Sequence, residues 1–271
     1  MKDNLNFLKD KARQVRGKVL EMTAAAGKGH LGGAFSCTEI LVALYYGGIL
    51  RLDASRPRWE GRDRFLLSKG HACEALYVIL ADLGFFPGGE LENYNKPGCL
   101  LGGHPNRSIA GIEADTGSLG HGLGIGAGLA LAAKMDQKDF KTVVLLSDGE
   151  CCEGSVWEAA MFAAKHKLNN LIGIVDKNGL CVTDIIEDCV ALDPLDKKWI
   201  ACGWEVVEMD GHSFDDLLTA FERVPSDRPR MIIADTVKGK GVSFMEGNIA
   251  WHHGVPKGEL LQQARKELEI I

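Results

Sequence analysis

The strongest constraint on this chain is a series of short apolar runs, each stopping at a polar residue and leading into a stretch with helical spacing. "TVVLL" at 142–146 empties into "SDGECCEG" at 147–154, and "LIGIV" at 171–175 empties into "DKNGL". Comparable runs predict strands within 63–84, at 204–209 and at 231–236. Between them lie predicted helices: an opening one to about Ala25, with Leu5, Leu8, Ala12, Val15, Val19 and Met22 on one face, then 155–166, 213–223 and one from Lys257. Strands that are apolar throughout are buried on both faces, and their alternation with helices predicts a parallel sheet. The expected fold class is therefore α/β: a doubly wound parallel sheet flanked by helices. "SCTEILVALYYGG" (36–48) reads as a helix capped by Ser36 with Glu39 three residues on, a capping box. "GSLGHGLGIGAGLALAAKM" (117–135) reads as a glycine-studded helix packed closely on the sheet. No internal repeat or low-complexity linker divides the chain. Pro87–Pro97 and Pro225–Pro229 read as loops, so residues 1–271 are expected to form one domain.

Hydrophobic residues make up 46% of the 271 and charged residues 25%, ordinary values for a soluble globular protein. A net charge of −6 argues against nucleic acid or an anionic membrane as the main partner. The first residues, "MKDNLNFLKDKARQVRG", are charged and amphipathic with no apolar core of a signal peptide, and the run 119–133 is too short to span a bilayer. A cytoplasmic protein is expected. The eight cysteines show no paired CxxC spacing and are expected to be reduced packing residues, with Cys151 and Cys152 unexplained. Glycine stands out, at 33 residues, mostly between an apolar run and a polar residue. Such placement suits loops that approach a ligand closely.

In open parallel sheets, ligands bind beyond the carboxyl ends of the strands. Asp148 ends one predicted strand and Asn178 lies just beyond the next, one strand-helix-strand unit away. A right-handed crossover places both on one rim. A carboxylate, an amide oxygen and a nearby carbonyl are hard ligands suited to Mg²⁺ or Ca²⁺, and Mg²⁺ commonly completes its shell with phosphate oxygens. The competing explanation is two unrelated turn residues, with Asp148 and Ser147 merely capping the following helix. Six histidines adjoin glycine directly: His30, His71, His104, His121, His212 and His253. Together they suggest a pocket for hydroxyls and phosphate oxygens, in which imidazoles move protons. His166 and His212 are assigned structural roles. "GHGLGIGAG" (120–128) has glycines at Rossmann-like spacing, but without a strand before it. A nicotinamide site is therefore the lesser reading, and the free N–H groups of the helix start are the alternative use.

With "SDGE…DKNGL" in place, the chain resembles the thiamine diphosphate enzymes, and more narrowly the diphosphate-binding half of a transketolase. The family motif begins Gly-Asp-Gly and ends in Asn; Ser147 replaces its first glycine. The resemblance implies that Asp148, Asn178 and the carbonyl of Leu180 hold Mg²⁺, with Gly149 beside the cofactor. "GKGHLGG" implies a substrate and cofactor contact at His30, "LLSKGHACEALY" places His71 near the diphosphate, and "GGHPNR" gives His104 to the donor sugar. "DTGSLGHGL" sets Gly117, Ser118 and Leu119 against the thiamine, while His121 stands where glutamine is usual and takes no role. "CEGSVWEAA" puts Glu153 in a carboxylate relay between paired active sites. "AWHHGVP" has one histidine more than the family segment, with His252 favoured as catalytic and His253 near the cofactor. "VKGKG" brings Lys238 to the cofactor.

Transketolases are more than twice this length, and their second domain carries the glutamate that activates the aminopyrimidine. The resemblance therefore implies an N-terminal subunit of a split transketolase, inactive alone and completed by a C-terminal, pyrimidine-binding chain in an α₂β₂ assembly. With that partner it would transfer a two-carbon ketol unit from a ketose phosphate to an aldose phosphate, as in pentose phosphate metabolism. The histidines, in part as cations, would move protons on sugar oxygens and attract anionic substrates. Three alternatives stand beside this reading. The first is the matching half of a deoxyxylulose-phosphate synthase or 2-oxo acid dehydrogenase, the second a non-catalytic diphosphate-binding subunit, and the third a nicotinamide-linked oxidoreductase.

Overall fold

The computed structural model describes residues 2–222 and 226–270. Three helices come first: α1 (Lys2–Ala26), α2 (Leu31–Ser36) and α3 (Thr38–Tyr46). Strand β1 (Arg64–Leu67) leads through a 3₁₀ turn at Gly70–Ala72 into α4 (Cys73–Asp82). After a long, mostly irregular connection come α5 (Gly122–Met135), β2 (Thr142–Ser147), α6 (Gly154–Lys165) and β3 (Leu171–Lys177). Two short helices follow, α7 (Ile186–Cys189) and α8 (Leu195–Ala201). Then β4 (Glu205–Asp210), α9 (Phe214–Glu222), β5 (Arg230–Asp235) and α10 (Gly258–Glu267) complete the order. The strands form one sheet, β1-β2-β3-β5-β4, and every pairing is parallel.

The side-chain alternation of the strands explains why the runs are apolar throughout. Val143, Leu145, Ile172, Ile174, Ile232 and Ala234 join one buried cluster, with residues of α1, α3, α4 and α9. Val144, Leu146, Leu171, Val175, Met231 and Ile233 join another, with residues of α5, α6 and α8. Successive residues thus serve opposite faces, each roofed by helices, and the doubly wound expectation holds. β4 pairs only with β5 and carries Glu205, Glu208 and Asp210, charges that suit a sheet edge.

Two local expectations are corrected. The Ser36–Glu39 capping box does not form: Ser36 closes α2, Cys37 precedes α3, and no side chain caps that junction. Ser36 Oγ donates instead to Asp176 Oδ2 at 2.6 Å, and Glu39 accepts from Arg16 Nη2 at 2.6 Å. Hydrogen bonds to buried charges are stronger than the roughly 1 kcal/mol of a cap, so tertiary pairing wins. The predicted helix at 117–135 starts only at Gly122, because Gly117 (φ +147°) and Gly120 (φ +87°) hold non-helical backbone before it. The predicted helix 213–223 is observed over Phe214–Glu222, and residues 223–225, with the start of the predicted 225–229 loop, lie outside the described residues. All eight cysteines are free thiols, as expected. Among the described residues no helix is long and apolar enough to cross a membrane.

Candidate active site

β2 and β3 pair with Ser147 opposite Asp176, so the two strand ends open onto one rim. Asp148 is 1% exposed there. Its Oδ1 accepts the Gly149 N–H at 2.8 Å, capping the 3₁₀ turn Gly149–Cys152, and its Oδ2 accepts the Gly179 N–H at 2.6 Å. Asp148 therefore does cap the turn, as the competing explanation had it, and it does so from the rim. Asn178 follows β3 and accepts the Leu180 N–H through Oδ1 at 3.3 Å. Burial, and then the neighbouring Asp176 carboxylate, push the Asp148 carboxyl up to about 6. A buried carboxylate raised this way favours a bound cation.

Behind the rim lies an ion pair that no sequence motif marks. Lys69 and Asp176 are buried and in contact, and Asp176 also accepts from Ser36 and Thr236. Lys69 Nζ reaches the Gly33 carbonyl at 3.1 Å. These bonds fix α2, β1 and β3 together beneath the site. Lys238, 2% exposed, reaches in from beyond β5 and donates to the carbonyls of Leu180 (2.9 Å) and Cys181 (3.1 Å). The Leu180 carbonyl assigned to the metal thus already accepts one bond, leaving its second lone pair. Burial, reinforced by Lys69, lowers the Lys238 ammonium to about 8.

Gly33, Lys69, His71, Leu119, Gly149, Asn178, Leu180, Lys238 and His252 line one cleft of about 110 Å³. His71 and His252 rings lie 5.4 Å apart, and His30 lies 5.5 Å from His71, 5.8 Å from His252, 4.6 Å from His253 and 6.2 Å from His104. Five of the glycine-flanked or tail histidines therefore converge as expected. Their charge does not follow expectation. Burial lowers His30 and His252 to about 4 and His71 to about 2, helped by the neighbouring histidines and lysines. These three are neutral imidazoles near pH 7, and positive charge in the cleft comes from lysine. Lys238 Nζ lies 3.0 Å from His252 Nδ1, and an ammonium only donates, so His252 carries its proton on Nε2.

The loop before α5 is held by Glu150, which had no assigned role. This fully buried carboxylate accepts from Ser68 Oγ, from the Gly120 N–H at 2.8 Å and from the Ser147 N–H at 3.3 Å. At Gly117 an added Cβ would sit 2.8 Å from the His104 ring, so glycine lets this histidine lie against the loop. Some candidates sit apart. Ser118 lines a separate depression with Asp115, Thr116 and His121, and Glu153 is exposed at the start of α6 beside Gly120. His212 is structural: Val237 N–H donates to its Nε2 at 2.9 Å, and its Nδ1 lies 2.8 Å from Glu39 Oε2.

The donor set suits a hard divalent cation that shares its shell with a ligand. Among the described residues no three His, Cys, Asp or Glu side chains are grouped to hold a metal by themselves. One carboxylate, one amide oxygen and one carbonyl leave room for diphosphate oxygens, with Lys238 and the Gly149 turn beside them.

Residues 8–270 match the family described as the transketolase, thiamine diphosphate binding domain. An apulose-4-phosphate transketolase subunit from Phocaeicola vulgatus is 44% identical over 255 residues, covering 93% of this chain and 90% of that protein. A 6-deoxy-6-sulfo-D-fructose transketolase subunit from a Clostridium species is 40% identical, covering 97% and 96%. The crystal structure of transketolase from Campylobacter jejuni superposes with a TM-score of 0.90 at 30% identity, covering 97% of this chain. This chain spans only 43% of that one.

Proposed function

This chain belongs to the transketolase family through its thiamine diphosphate-binding domain, and on that premise we propose that it is the diphosphate-binding subunit of a two-chain transketolase. The observation that carries the proposal is that Asp148 and Asn178 lie at adjoining strand ends, where Asn178 and the neighbours of Asp148, Ser147 and Gly149, line one cleft with Lys238, His71 and His252. Relatives that match it nearly end to end are themselves named as transketolase subunits. The second half of the site then comes from a separate pyrimidine-binding chain, in an α₂β₂ assembly, and the substrates are a ketose phosphate donor and an aldose phosphate acceptor.

Asp148, Asn178 and the Leu180 carbonyl would hold Mg²⁺, with Lys238 and the Gly149 turn beside the diphosphate. Thiamine diphosphate supplies the carbanion chemistry that breaks and forms the C–C bond. The chain's own residues bind, orient and manage protons. His252 presents Nε2–H as a donor toward a substrate or diphosphate oxygen. His30 and His71, neutral at the cleft wall, accept or donate to sugar hydroxyls without a charge to neutralise. His104, exposed at the mouth, meets the sugar as it enters. The backbone of Gly117, Ser118 and Leu119 would meet the cofactor, although the Ser118 side chain lines the separate depression; His253 backs His30, and Glu153 lies on the surface offered to a second site.

Titration calorimetry with thiamine diphosphate, with and without Mg²⁺, tests the metal assignment. Asp148→Ala and Asn178→Ala are expected to lose Mg²⁺-dependent binding. Unchanged affinity in both would remove these residues from the metal's shell.

A further inference from the structure

Beneath the histidine cluster lies a carboxylate with no part in the metal or diphosphate site. Glu74, in the first turn of α4, is fully buried. Its Oε1 accepts two bonds, from the His30 backbone N–H at 2.8 Å and from the Tyr94 hydroxyl at 2.9 Å. Its Oε2 has no partner, and neither does His30 Nδ1, which is also buried. The two unpartnered groups belong to neighbours, since His30 Nδ1 lies 4.0 Å from Glu74 Oε1. Buried polar atoms rarely stay unpaired, so two such atoms on neighbouring side chains call for a partner. Gly29 marks how closely the chain passes, for a Cβ there would lie 3.2 Å from Glu74 Oε1.

We propose that Glu74 is a positioning residue for His30, holding the ring as the Nδ1–H tautomer so that Nε2 faces the cleft as a proton acceptor. The Nδ1 edge is buried while the side chain remains 20% exposed, so the exposed edge is the other one. A small turn of the ring or the carboxyl closes the 4.0 Å gap so that Nδ1–H donates to the Glu74 carboxylate. The groups facing His30 from other elements are imidazoles, His71, His104, His252 and His253, so Glu74 is the carboxylate at its back. When Nε2 takes a proton from a substrate hydroxyl, the imidazolium shares Nδ1–H with the Glu74 carboxylate; when Nε2 returns it, the ring is neutral again. The proton count is unchanged over the cycle. This role rests on the sugar-binding reading of the cleft, but the tautomer does not.

The test is ¹⁵N NMR of the histidine rings in the full chain, which distinguishes Nδ1–H from Nε2–H. Wild type is expected to show His30 as Nδ1–H. Glu74→Gln presents an amide N–H instead and is expected to switch His30 to Nε2–H, whereas Tyr94→Phe, which removes only the other donor, keeps Nδ1–H. In the complex with the partner chain, Glu74→Gln is expected to lower kcat about 10- to 100-fold with KM little changed. His30 as Nε2–H in wild type, or an unchanged tautomer in folded Glu74→Gln, would overturn the pairing. If the complex transfers no ketol unit at all, the functional reading fails while the tautomer still decides the role of Glu74.

Discussion

Asp148 Oδ2 accepts the Gly179 N–H at 2.6 Å, so the end of β2 grips the turn that follows β3. Burial, and then the neighbouring Asp176 carboxylate, push the same carboxyl toward protonation. Function and stability are coupled at Asp148. Asp148→Asn removes the repulsion but keeps an oxygen for only one of the Gly149 and Gly179 N–H groups, and its amide N–H₂ faces the other. Without cofactor, the lost bond is expected to outweigh the relief and lower Tm by about 2–4 °C, for roughly 1 kcal/mol. It is also expected to lose the Mg²⁺-dependent gain in Tm that thiamine diphosphate gives wild type. Thermal melts with and without both ligands check the two signs together.

Buried Arg16 and Glu39 and the half-buried His212 form a cluster that joins α1, α3 and the turn after β4. Burial opposes ionisation of Glu39, but the Arg16 guanidinium and the His212 bond prevail and lower it to about 2. A carboxylate depressed on folding adds stability above its unfolded value of 4.5, and that stability is lost as pH falls from 4.5 toward 2. The contribution is about 3 kcal/mol. Calorimetry across that window should show wild type losing Tm steeply and Glu39→Gln losing little. Arg16→Met, which strands the carboxylate, is expected to cost about 3–5 kcal/mol at neutral pH.

Two glycines of α5 set how closely it approaches the sheet. A Cβ at Gly122 would lie 2.2 Å from Ser68 Oγ and 2.9 Å from Ser68 Cα, and one at Gly126 would lie 2.4 Å from Val144 Cγ2. Either alanine variant is expected to destabilise by about 1–3 kcal/mol by overpacking, readable in urea denaturation. Gly128→Ala, with nothing near its added Cβ, is expected to be neutral or stabilising.

Glu150 holds the Gly120 loop from below through three bonds. Glu150→Ala leaves the Ser68 hydroxyl and two backbone N–H groups without their acceptor. Cofactor affinity is expected to fall about tenfold or more, although Glu150 is buried away from the cleft. Calorimetric titration of the folded variant reads this directly.

Much of the site was legible because strand ends announce themselves. Asp148 and Asn178 each follow an apolar run, and the parallel pairing of β2 with β3 does the rest. The histidines were legible by their glycine neighbours. What escaped was pairing over long sequence distance. Lys69 and Asp176 are 107 residues apart, and nothing local marks either as the other's partner. Ser36 looked like a cap because caps are local, yet its hydroxyl is drawn to Asp176 across the fold. Which histidines are neutral was not legible for the same reason, since burial and mutual repulsion exist only once the loops have come together.

On the two-chain reading proposed above, the second half of the site comes from a partner chain. Ketol transfer from a ketose phosphate to an aldose phosphate should be measured with Mg²⁺ and thiamine diphosphate, for the purified chain and for its complex with the co-purified partner. Activity in the complex alone is the predicted result. Ketol transfer by this chain without a partner would contradict it.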